Sequence, residues 1–370
     1  MNCPIPGLTW SAGCWMRWRF MADPSQCFPL APLQWVMLRD SLAEPGAGHH
    51  VEQAEIRFAR SVTTARVCAA WAETVARTEA LRVAFTLDEF GFESAVSGEL
   101  LISGTGWEDG RASDRQRPLL EPRRVPWRAV YRPEDRRFLW TFHHALLDGR
   151  SIVRVLRNFI QRVGGGTGET LALARWSPPS REEVALARAL FSEIPPPPEF
   201  TKPGDANGPA VRHLGRPSDQ IDATFLIGAW GRALAEAAGA ETVWVEQVRA
   251  GAPQPGTAGF TMNTLPLRLG GGESTAGLRA RLHAMRAIER VSAEDFPRGE
   301  FPEGGSVIMI ERATPAHLAA GDVVESLRLH EAKGETLLAT AFLLPVLRLE
   351  VEGPDRHELL RRWVETLGRC

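Results

Sequence analysis

The apolar positions of the chain follow two alternating periods, and this alternation predicts a mixed α/β protein. The strongest helical stripe covers 152–163, where apolar residues recur every three or four positions before a run of glycines. A second helix is predicted over 62–77, with Ser61 as its N-cap. Strands of the first half are predicted over 50–59, 81–87, 127–132 and 136–143, the last two forming a hairpin.

The second half of the chain repeats this mixture of helices and strands. Helices are predicted over 222–238, 278–291 and 356–367. Strands are predicted over 242–249, 261–269, 306–311, 327–330, 336–342 and 346–351. The two similar halves suggest a pseudo-duplicated architecture, although the sequence contains no strict repeat.

The regular pattern is weakest between 164 and 220, where glycines and a run of four prolines at 195–198 are incompatible with a helix interior. This stretch predicts the domain boundary. We therefore divide the chain into an N-terminal extension, an N-terminal lobe, a proline-rich linker and a C-terminal lobe, at 1–27, 28–175, 176–215 and 216–370. For the first 20 residues of the extension we expect either a disordered tail or an artefact of an upstream start.

Composition narrows the class of protein without naming a function. The 370 residues contain 44% hydrophobic and 24% charged residues, which excludes a largely disordered chain, a coiled coil and a collagen-like fibre. A formal net charge of −2 argues against a general nucleic-acid or anionic-membrane binder. Only Lys202 and Lys333 among the 43 basic residues are lysines, a bias typical of a GC-rich, bacterial genome.

The five cysteines are widely spaced and contain no C-x-x-C, so we expect neither a disulfide framework nor a metal site. Such cysteine usage predicts a reducing, cytoplasmic location. No apolar run approaches the length that crosses a bilayer.

The most informative stretch is TFHHALLDGRS at 141–151, where a predicted strand meets a predicted helix. Adjacent residues of a strand point to opposite faces, so His143 and His144 cannot share one role. One imidazole is expected to reach an open site, where its reference pKa of about 6.5 suits general acid–base chemistry. Asp148 either orients an imidazole or ties the loop to an arginine, and Gly149 permits close approach of a backbone or a substrate.

The motif HHALLDG resembles the signature of condensation domains of nonribosomal peptide synthetases, which belong to the chloramphenicol-acetyltransferase-like, CoA-dependent acyltransferase superfamily. Three further stretches resemble motifs of that family, in the family's order. They are LAPLQWVML at 30–38, RTEALRVAF at 77–85 and GFTMNTLPLR at 259–268.

The resemblance implies an α/β (α+β sandwich) fold, with two acetyltransferase-like lobes in a V-shaped pseudo-dimer and a central tunnel. It implies that His144 is the catalytic residue and that His143 is structural. Asp148 would be mainly structural and paired with an arginine, and Arg82, Arg249 and Arg268 are the candidates for that pairing. Arg82 and Arg268 are also taken as substrate-binding residues. Asn263 would either hold the tetrahedral intermediate or end a strand at the lobe junction.

The function implied is that of a free-standing condensation-type acyltransferase in nonribosomal peptide or related secondary-metabolite biosynthesis. It would join an amine or a hydroxyl to an acyl thioester whose phosphopantetheine belongs to a partner carrier protein or to CoA. We expect no cofactor of its own, and no nucleic-acid or membrane partner. Two alternatives stay open. The stretch between Asp148 and Asn263 is shorter than in typical members, which favours a carrier-protein-binding recruitment module without catalysis. An epimerase-like member is the other alternative, because such members share the histidine motif.

Overall fold

The structure is a computed structural model, and its description covers most of the chain. The described residues are 9–10, 15–19, 28–86, 91–94, 97–102, 114–121, 123–191, 209–217, 221–251, 254–270, 272–296, 306–311, 318, 322–330, 337–343, 346–353 and 355–368. None of the helices in these ranges is both long and apolar enough to cross a membrane. Cys68 is a buried free thiol, and the other four cysteines lie outside the described residues.

The chain forms two compact units, and each unit takes segments from more than one part of the sequence. The first unit contains 1–176, 252–261 and 314–333, and the second contains 177–251, 262–313 and 334–370. Two segments of the second half of the chain therefore belong to the first unit.

The first unit is built on a sheet of seven strands. They are β1 (Thr9–Trp10), β2 (Trp15–Arg19), β4 (Val51–Phe58), β7 (Ser97–Ile102), β8 (Trp127–Arg132), β9 (Arg137–His143) and β16 (Val324–His330). Their order in the sheet is β1-β2-β7-β8-β9-β4-β16, and all neighbours are antiparallel except β7 and β8. Smaller sheets join β3 (Phe28–Pro29), β5 (Val83–Thr86) and β6 (Gly91–Ser94), and also β10 (Ala172–Leu173) and β13 (Thr257–Ala258).

The core of the first unit is an aromatic cluster between the sheet and its helices. The helices are α1 (Pro32–Ala43), α2 (Thr64–Ala76) and α3 (Gly149–Val163). Trp71 of α2 is fully buried, and its ring centroid lies 5.0 Å from that of Phe138 and 5.1 Å from that of Phe159. Tilted and edge-on aromatic pairs add about 0.5–1.5 kcal/mol each beyond the burial of their area. The cluster therefore holds α2 and α3 firmly against β9, the strand that ends at His143.

The second unit contains a sheet of six strands, with the order β11-β18-β17-β15-β12-β14. The pairs β12–β15 and β15–β17 are parallel, and the other neighbours are antiparallel. The strands are β11 (Ala210–Pro217), β12 (Thr242–Arg249), β14 (Asn263–Gly270), β15 (Val307–Glu311), β17 (Leu338–Leu343) and β18 (Val346–Glu352). The helices are α4 (Arg181–Phe191), α5 (Ala223–Ala238), α6 (Thr275–Ala284) and α7 (Arg356–Gly368).

The core of the second unit forms where α5 packs on α7 and on β14. The rings of Trp230 and Trp363 lie 5.0 Å apart, and the indole N–H of Trp363 donates to the carbonyl of Leu226 at 3.1 Å. Gly231 allows the close approach of α5 to β14, because a Cβ built there would lie 2.2 Å from the Cβ of Leu269. A larger residue at this position would force the helix off the sheet.

Most of the predicted elements are present, and the differences have local causes. The strand expected over 81–87 starts at Val83, because a 3₁₀ turn (Glu79–Arg82) precedes it. The N-cap of α2 is Thr63 rather than Ser61, and the Thr63 side chain accepts a hydrogen bond from the backbone N–H of Arg66. Helix α4 lies within the stretch interpreted as a linker and strand β11 begins in it, because the prolines between these two elements obscured their pattern. Within the predicted N-terminal extension, the described residues form the strands β1 and β2.

Candidate active site

The two histidines of the motif lie at the point where β9 ends and a 3₁₀ turn (His144–Leu146) begins. The backbone N–H of His144 donates to the carbonyl of His50 at 2.7 Å, which extends the β4–β9 pairing by one bond. The side-chain amide of Gln34 in α1 donates to the carbonyl of Ala145 at 2.7 Å. These bonds fix the direction in which each imidazole leaves the backbone.

His143 is enclosed in the protein and is held at both ring nitrogens. Its Nδ1 accepts a hydrogen bond from the backbone N–H of Ala145 at 3.2 Å. The proton of the neutral ring is therefore on Nε2, which donates to the hydroxyl of Ser41 at 2.9 Å. Burial, with smaller contributions from His50 and His144, lowers the pKa of His143 to about 3. His143 is thus a neutral imidazole with a fixed tautomer, as is typical of a structural residue.

His144 has a different environment, with one ring nitrogen bound to the protein. Its Nδ1 lies 3.1 Å from the carbonyl oxygen of Leu147, and a carbonyl can only accept. The proton of the neutral ring is therefore on Nδ1, and Nε2 carries the lone pair. Nε2 has no hydrogen-bond partner among the described residues. The side chain is 20% exposed. This geometry makes Nε2 of His144 available as a proton acceptor.

A carboxylate that the sequence analysis did not single out also lies beside His144. Oε1 of Glu52 in β4 is 3.4 Å from Nδ1 of His144, and the Glu52 side chain is only 8% exposed. The ring of Phe260 closes another side, with its centroid 5.9 Å from that of His144 in an edge-on arrangement. His144 therefore lies between a buried acid and a buried aromatic ring.

Asp148 is the N-cap of α3, and its carboxylate also holds a second segment of the chain. One oxygen accepts from the backbone N–H of Ser151 at 2.9 Å. The other accepts from the backbone N–H of Thr261 at 3.0 Å and from the Thr261 hydroxyl at 2.7 Å. The helix N-terminus and these donors stabilise the charge of a carboxylate that is 3% exposed.

The segment 252–261 is fastened to the first unit by further bonds around this cap. The backbone N–H of Asp148 donates to the carbonyl of Gly259 at 3.0 Å, and the Gly259 N–H donates to the Ser151 hydroxyl at 3.1 Å. Gly259 packs so closely that an added Cβ would lie 2.9 Å from the carbonyl oxygen of Ala174. Only glycine fits here without displacing backbone, and Phe260 is thereby brought next to His144.

The expectation that Asp148 pairs with an arginine is wrong. Its carboxylate is satisfied by two backbone amides and one hydroxyl, and its described contacts include no guanidinium. Arg249 is paired instead with Glu289, at 2.6 Å. Arg82 ends the 3₁₀ turn before β5, and its buried Nε has no hydrogen-bond partner among the described residues. A helix N-cap with a nearby loop gives a carboxylate its donors as readily as an arginine does.

The predicted site residues are divided between the two units. His143, His144, Asp148 and Gly149 lie together in the first unit, where Gly149 is the first residue of α3. Arg82 also lies in the first unit, whereas Asn263 and Arg268 are residues of β14 in the second.

The side chain of Asn263 is used within the second unit. Its amide nitrogen donates to the carbonyls of Glu289 and Val291 at 3.0 and 2.8 Å, and its oxygen accepts from the N–H of Thr264. These bonds favour the interpretation of Asn263 as a residue that fixes the start of a strand. The substrate-binding roles of Asn263, Arg268 and Arg82 stay predictions.

Several residues around the two histidines were missed by the sequence reasoning, namely Glu52, Ser41, Gln34, Ser151 and Thr261 as individual contacts. One signal was available in the sequence: Glu52 is a charged residue on the same face of β4 as the apolar residues Ala54, Ile56 and Phe58. Within the part of the chain that the structure describes, no cluster of three or more His, Cys, Asp or Glu residues is placed to hold a metal ion.

Comparison with solved structures identifies the fold. The first condensation domain of the calcium-dependent antibiotic synthetase, in complex with a substrate analogue, superimposes with a TM-score of 0.69 and 20% identity, over 93% of this chain and 96% of that one. This chain has the condensation-domain fold. A mutant of the starter condensation domain of rhizomide synthetase gives a TM-score of 0.69 at 14% identity, over 92% of this chain and 95% of that one. The resemblance inferred from the motifs is confirmed, and the mixed α/β class with it.

Sequence comparison shows that large nonribosomal peptide synthetases contain distant relatives of this chain. Nonribosomal peptide synthetase dtxS1 of Metarhizium robertsii is 27% identical over 264 residues, or 65% of this chain. Nonribosomal peptide synthetase 30 of Fusarium vanettenii is 29% identical over 150 residues, or 38% of this chain. The aligned regions cover only 3% and 2% of those relatives. No protein-family model matches the chain.

Proposed function

We propose that this protein is a condensation-type acyltransferase. It joins an amine or a hydroxyl acceptor to an acyl group carried as a thioester on phosphopantetheine, either of a carrier protein or of CoA. The observation that carries the proposal is the environment of His144, whose Nδ1–H is bound to the Leu147 carbonyl while Nε2 keeps its lone pair. The condensation-domain fold supports the same chemistry.

In the proposed reaction, Nε2 of His144 accepts the proton of the acceptor as its nitrogen or oxygen attacks the thioester carbonyl. The new bond to the carbonyl carbon gives a tetrahedral intermediate. Collapse of this intermediate breaks the carbon–sulfur bond, and the departing sulfur takes the proton from His144. The imidazole is thereby restored and no other reactant is consumed. General base catalysis of this kind contributes about 10²–10⁴-fold to a rate.

The environments of His143 and Asp148 support the assignment of proton transfer to His144. His143 cannot exchange a proton with a substrate, because its ring is buried and both its nitrogens are engaged. Asp148 is engaged by Ser151 and Thr261, so it positions the turn and does not take part in proton transfer.

Solved relatives indicate the form of the substrates. One structure is a double mutant of the starter condensation domain of rhizomide synthetase, in complex with C8-CoA and Leu-SNAC. The acyl donor of the present protein is proposed to be a thioester of the same class, and the partners that deliver it are proposed to be acyl or peptidyl carrier proteins. The setting is proposed to be nonribosomal peptide or related secondary-metabolite biosynthesis, in the cytoplasm of a bacterium.

The test presents acyl-loaded carrier proteins and acyl-CoAs, together with amine and alcohol acceptors, to the wild type and to His144→Ala. Product is measured by mass spectrometry. We expect His144→Ala to lower the rate by at least about 100-fold. His49→Ala is the matched control, because His49 is a half-exposed histidine whose ring contacts Glu44, and its rate is expected to stay within about twofold of wild type.

Each other outcome has a definite meaning. Product formation that His144→Ala leaves unchanged would remove His144 from the mechanism. Absence of turnover with any pair, together with saturable binding of carrier proteins, would replace the proposal with a recruitment module. Exchange of the α-proton of a carrier-bound aminoacyl group, without transfer, would instead indicate an epimerase-like activity.

A further inference from the structure

Glu52 occupies a position at which a charged side chain is costly. It lies on the face of β4 that also carries Ala54, Ile56 and Phe58, and each of these three is fully buried. Taking a carboxylate out of water costs several kcal/mol unless the protein supplies compensating contacts. A charge placed at such a position therefore requires an explanation from what it contacts.

The imidazole of His144 lies next to this charge. Oε1 of Glu52 and the carbonyl oxygen of Leu147 are both close to Nδ1 of His144, at 3.4 and 3.1 Å. Because both are acceptors, both favour the tautomer with the proton on Nδ1, and both leave the Nε2 lone pair directed away from them. The Leu147 carbonyl is neutral, whereas the Glu52 side chain carries a negative charge when it is ionised.

We propose that Glu52 is a positioning residue for His144. It fixes the ring through Nδ1, and its negative charge balances the positive charge that the imidazole gains when Nε2 accepts the acceptor's proton. This inference rests on the proposed function, because it assigns the group that supports the proposed base. The arrangement matches the general rule that a base is oriented by a third group on its far side.

Among the residues that the structure describes, the other ionisable groups near His144 do not balance its positive charge. His143 and His50 are histidines, and each becomes positive if it gains a proton, so they oppose charge on His144. Asp148 is committed to the Ser151 N–H and to Thr261. Attraction between a carboxylate and an imidazolium is stronger at a buried position than in water, because the surroundings screen it less.

The first test is kinetic and uses Glu52→Gln, which keeps the shape and an acceptor oxygen but removes the charge. We expect kcat to fall about 10- to 100-fold, less than the ~10⁴-fold known for a triad aspartate, because the Leu147 carbonyl still holds the Nδ1 proton. KM should stay within about twofold, since substrate binding is not altered. Glu55→Gln is the control, as Glu55 lies on the same strand beside Arg137 and should leave both constants within about twofold.

The second test does not depend on turnover. Carbethoxylation of His144 by diethyl pyrocarbonate, followed by peptide mass spectrometry at about pH 8.5, measures the nucleophilicity of a neutral ring. We expect the rate at His144 to fall severalfold in Glu52→Gln and to be unchanged in Glu55→Gln. Circular dichroism melts confirm that each variant is folded.

The two tests separate failure of the inference from failure of the proposed function. Wild-type kcat and an unchanged carbethoxylation rate in Glu52→Gln would overturn the role of Glu52, even if His144 proved essential. A reduced carbethoxylation rate without acyl transfer by any variant would leave Glu52 as the partner of His144 and reject condensation. A fall in kcat with an equal rise in KM would show disruption of the site, and so would also count against a positioning role.

Discussion

His143 and His144 are neighbours in sequence and have opposite environments. The His143 ring is buried between Ser41 and the turn that follows it, and its pKa is lowered to about 3. The His144 ring is partly exposed and lies next to Glu52, and among the described residues only its Nδ1 has a hydrogen-bond partner. The difference teaches that two adjacent histidines at the end of a strand can have one enclosed ring and one accessible ring. Stability should depend on the first ring and activity on the second.

The largest effect on stability is expected from His143→Ala. The substitution removes a fully enclosed ring and leaves the Ser41 hydroxyl and the Ala145 N–H without their partner, so the free energy of unfolding should fall by about 3 kcal/mol. His144→Ala should change it by less than about 1 kcal/mol, since that ring is partly exposed. Urea unfolding followed by tryptophan fluorescence measures both. Equal losses would abolish the distinction between the two histidines.

The turn between the histidines and α3 is tested by Asp148→Ala. Loss of the helix cap and of the bonds to Thr261 should cost about 2–3 kcal/mol of unfolding free energy. Asp222→Ala is the matched control, because Asp222 caps α5 through Thr224 but is far more exposed, and it should cost about 1 kcal/mol. Chemical denaturation of both variants gives the comparison. A smaller loss for Asp148 than for Asp222 would show that its bonds to Thr261 contribute nothing.

The buried state of His143 also predicts how stability depends on pH. Its folded pKa of about 3 lies below the usual value of 6.5, so the unfolded chain binds more protons between these values. The contribution of His143 is fully present above pH 6.5 and is lost as pH falls toward 3. Between about pH 6.5 and pH 5 the loss is about 2 kcal/mol.

Unfolding free energies of the wild type and of His143→Gln, measured across this range, test that sign. The variant has no ionisable ring, so its stability should fall less steeply with acid. Parallel curves for the two proteins would indicate that folding does not lower the pKa of His143, which would contradict its enclosed environment.

The smallest effect is expected from Gly259→Ala, which tests whether the surroundings of His144 matter to its proposed role. The added Cβ would press on the backbone of Ala174, shifting the segment that places Phe260 beside His144. We expect the free energy of unfolding to fall by about 1–2 kcal/mol. Activity should fall by the factor that corresponds to the same free energy. Gly368→Ala, with nothing within 4 Å of its Cβ, is the control. Unchanged activity would show that the position of Phe260 does not matter to His144.

Much of the fold was predictable because helices and strands leave local periodic signals. The stripe over 152–163 gave α3, and alternation gave β4, β8 and β9, nearly to the residue. The placement of β16 was not predictable. It belongs to the second half of the chain and pairs with β4, so that Leu327 lies opposite Ile56. No local pattern specifies which distant edge a strand will join.

The candidate site was likewise predictable only in part. Alternation along β9 predicted two different histidines, and the structure supplies the partners that distinguish them. Glu52 and Thr261 are distant in sequence from the motif, and Asp148 receives two of its three hydrogen bonds from Thr261 rather than from an arginine. The choice among donors depends on which segments pack together, and that depends on contacts across the whole unit.

By itself, the sequence determined most of the elements, the motif at the end of β9 and the resemblance to condensation domains, because these depend on residue order and local geometry. Tertiary structure alone decided that His143 is enclosed and that the Nδ1 of His144 lies beside the Glu52 carboxylate, with no partner for Nε2 among the described residues. Burial and hydrogen bonding set the protonation of an imidazole, and both arise only when strands, turns and helices from distant parts of the chain come into contact.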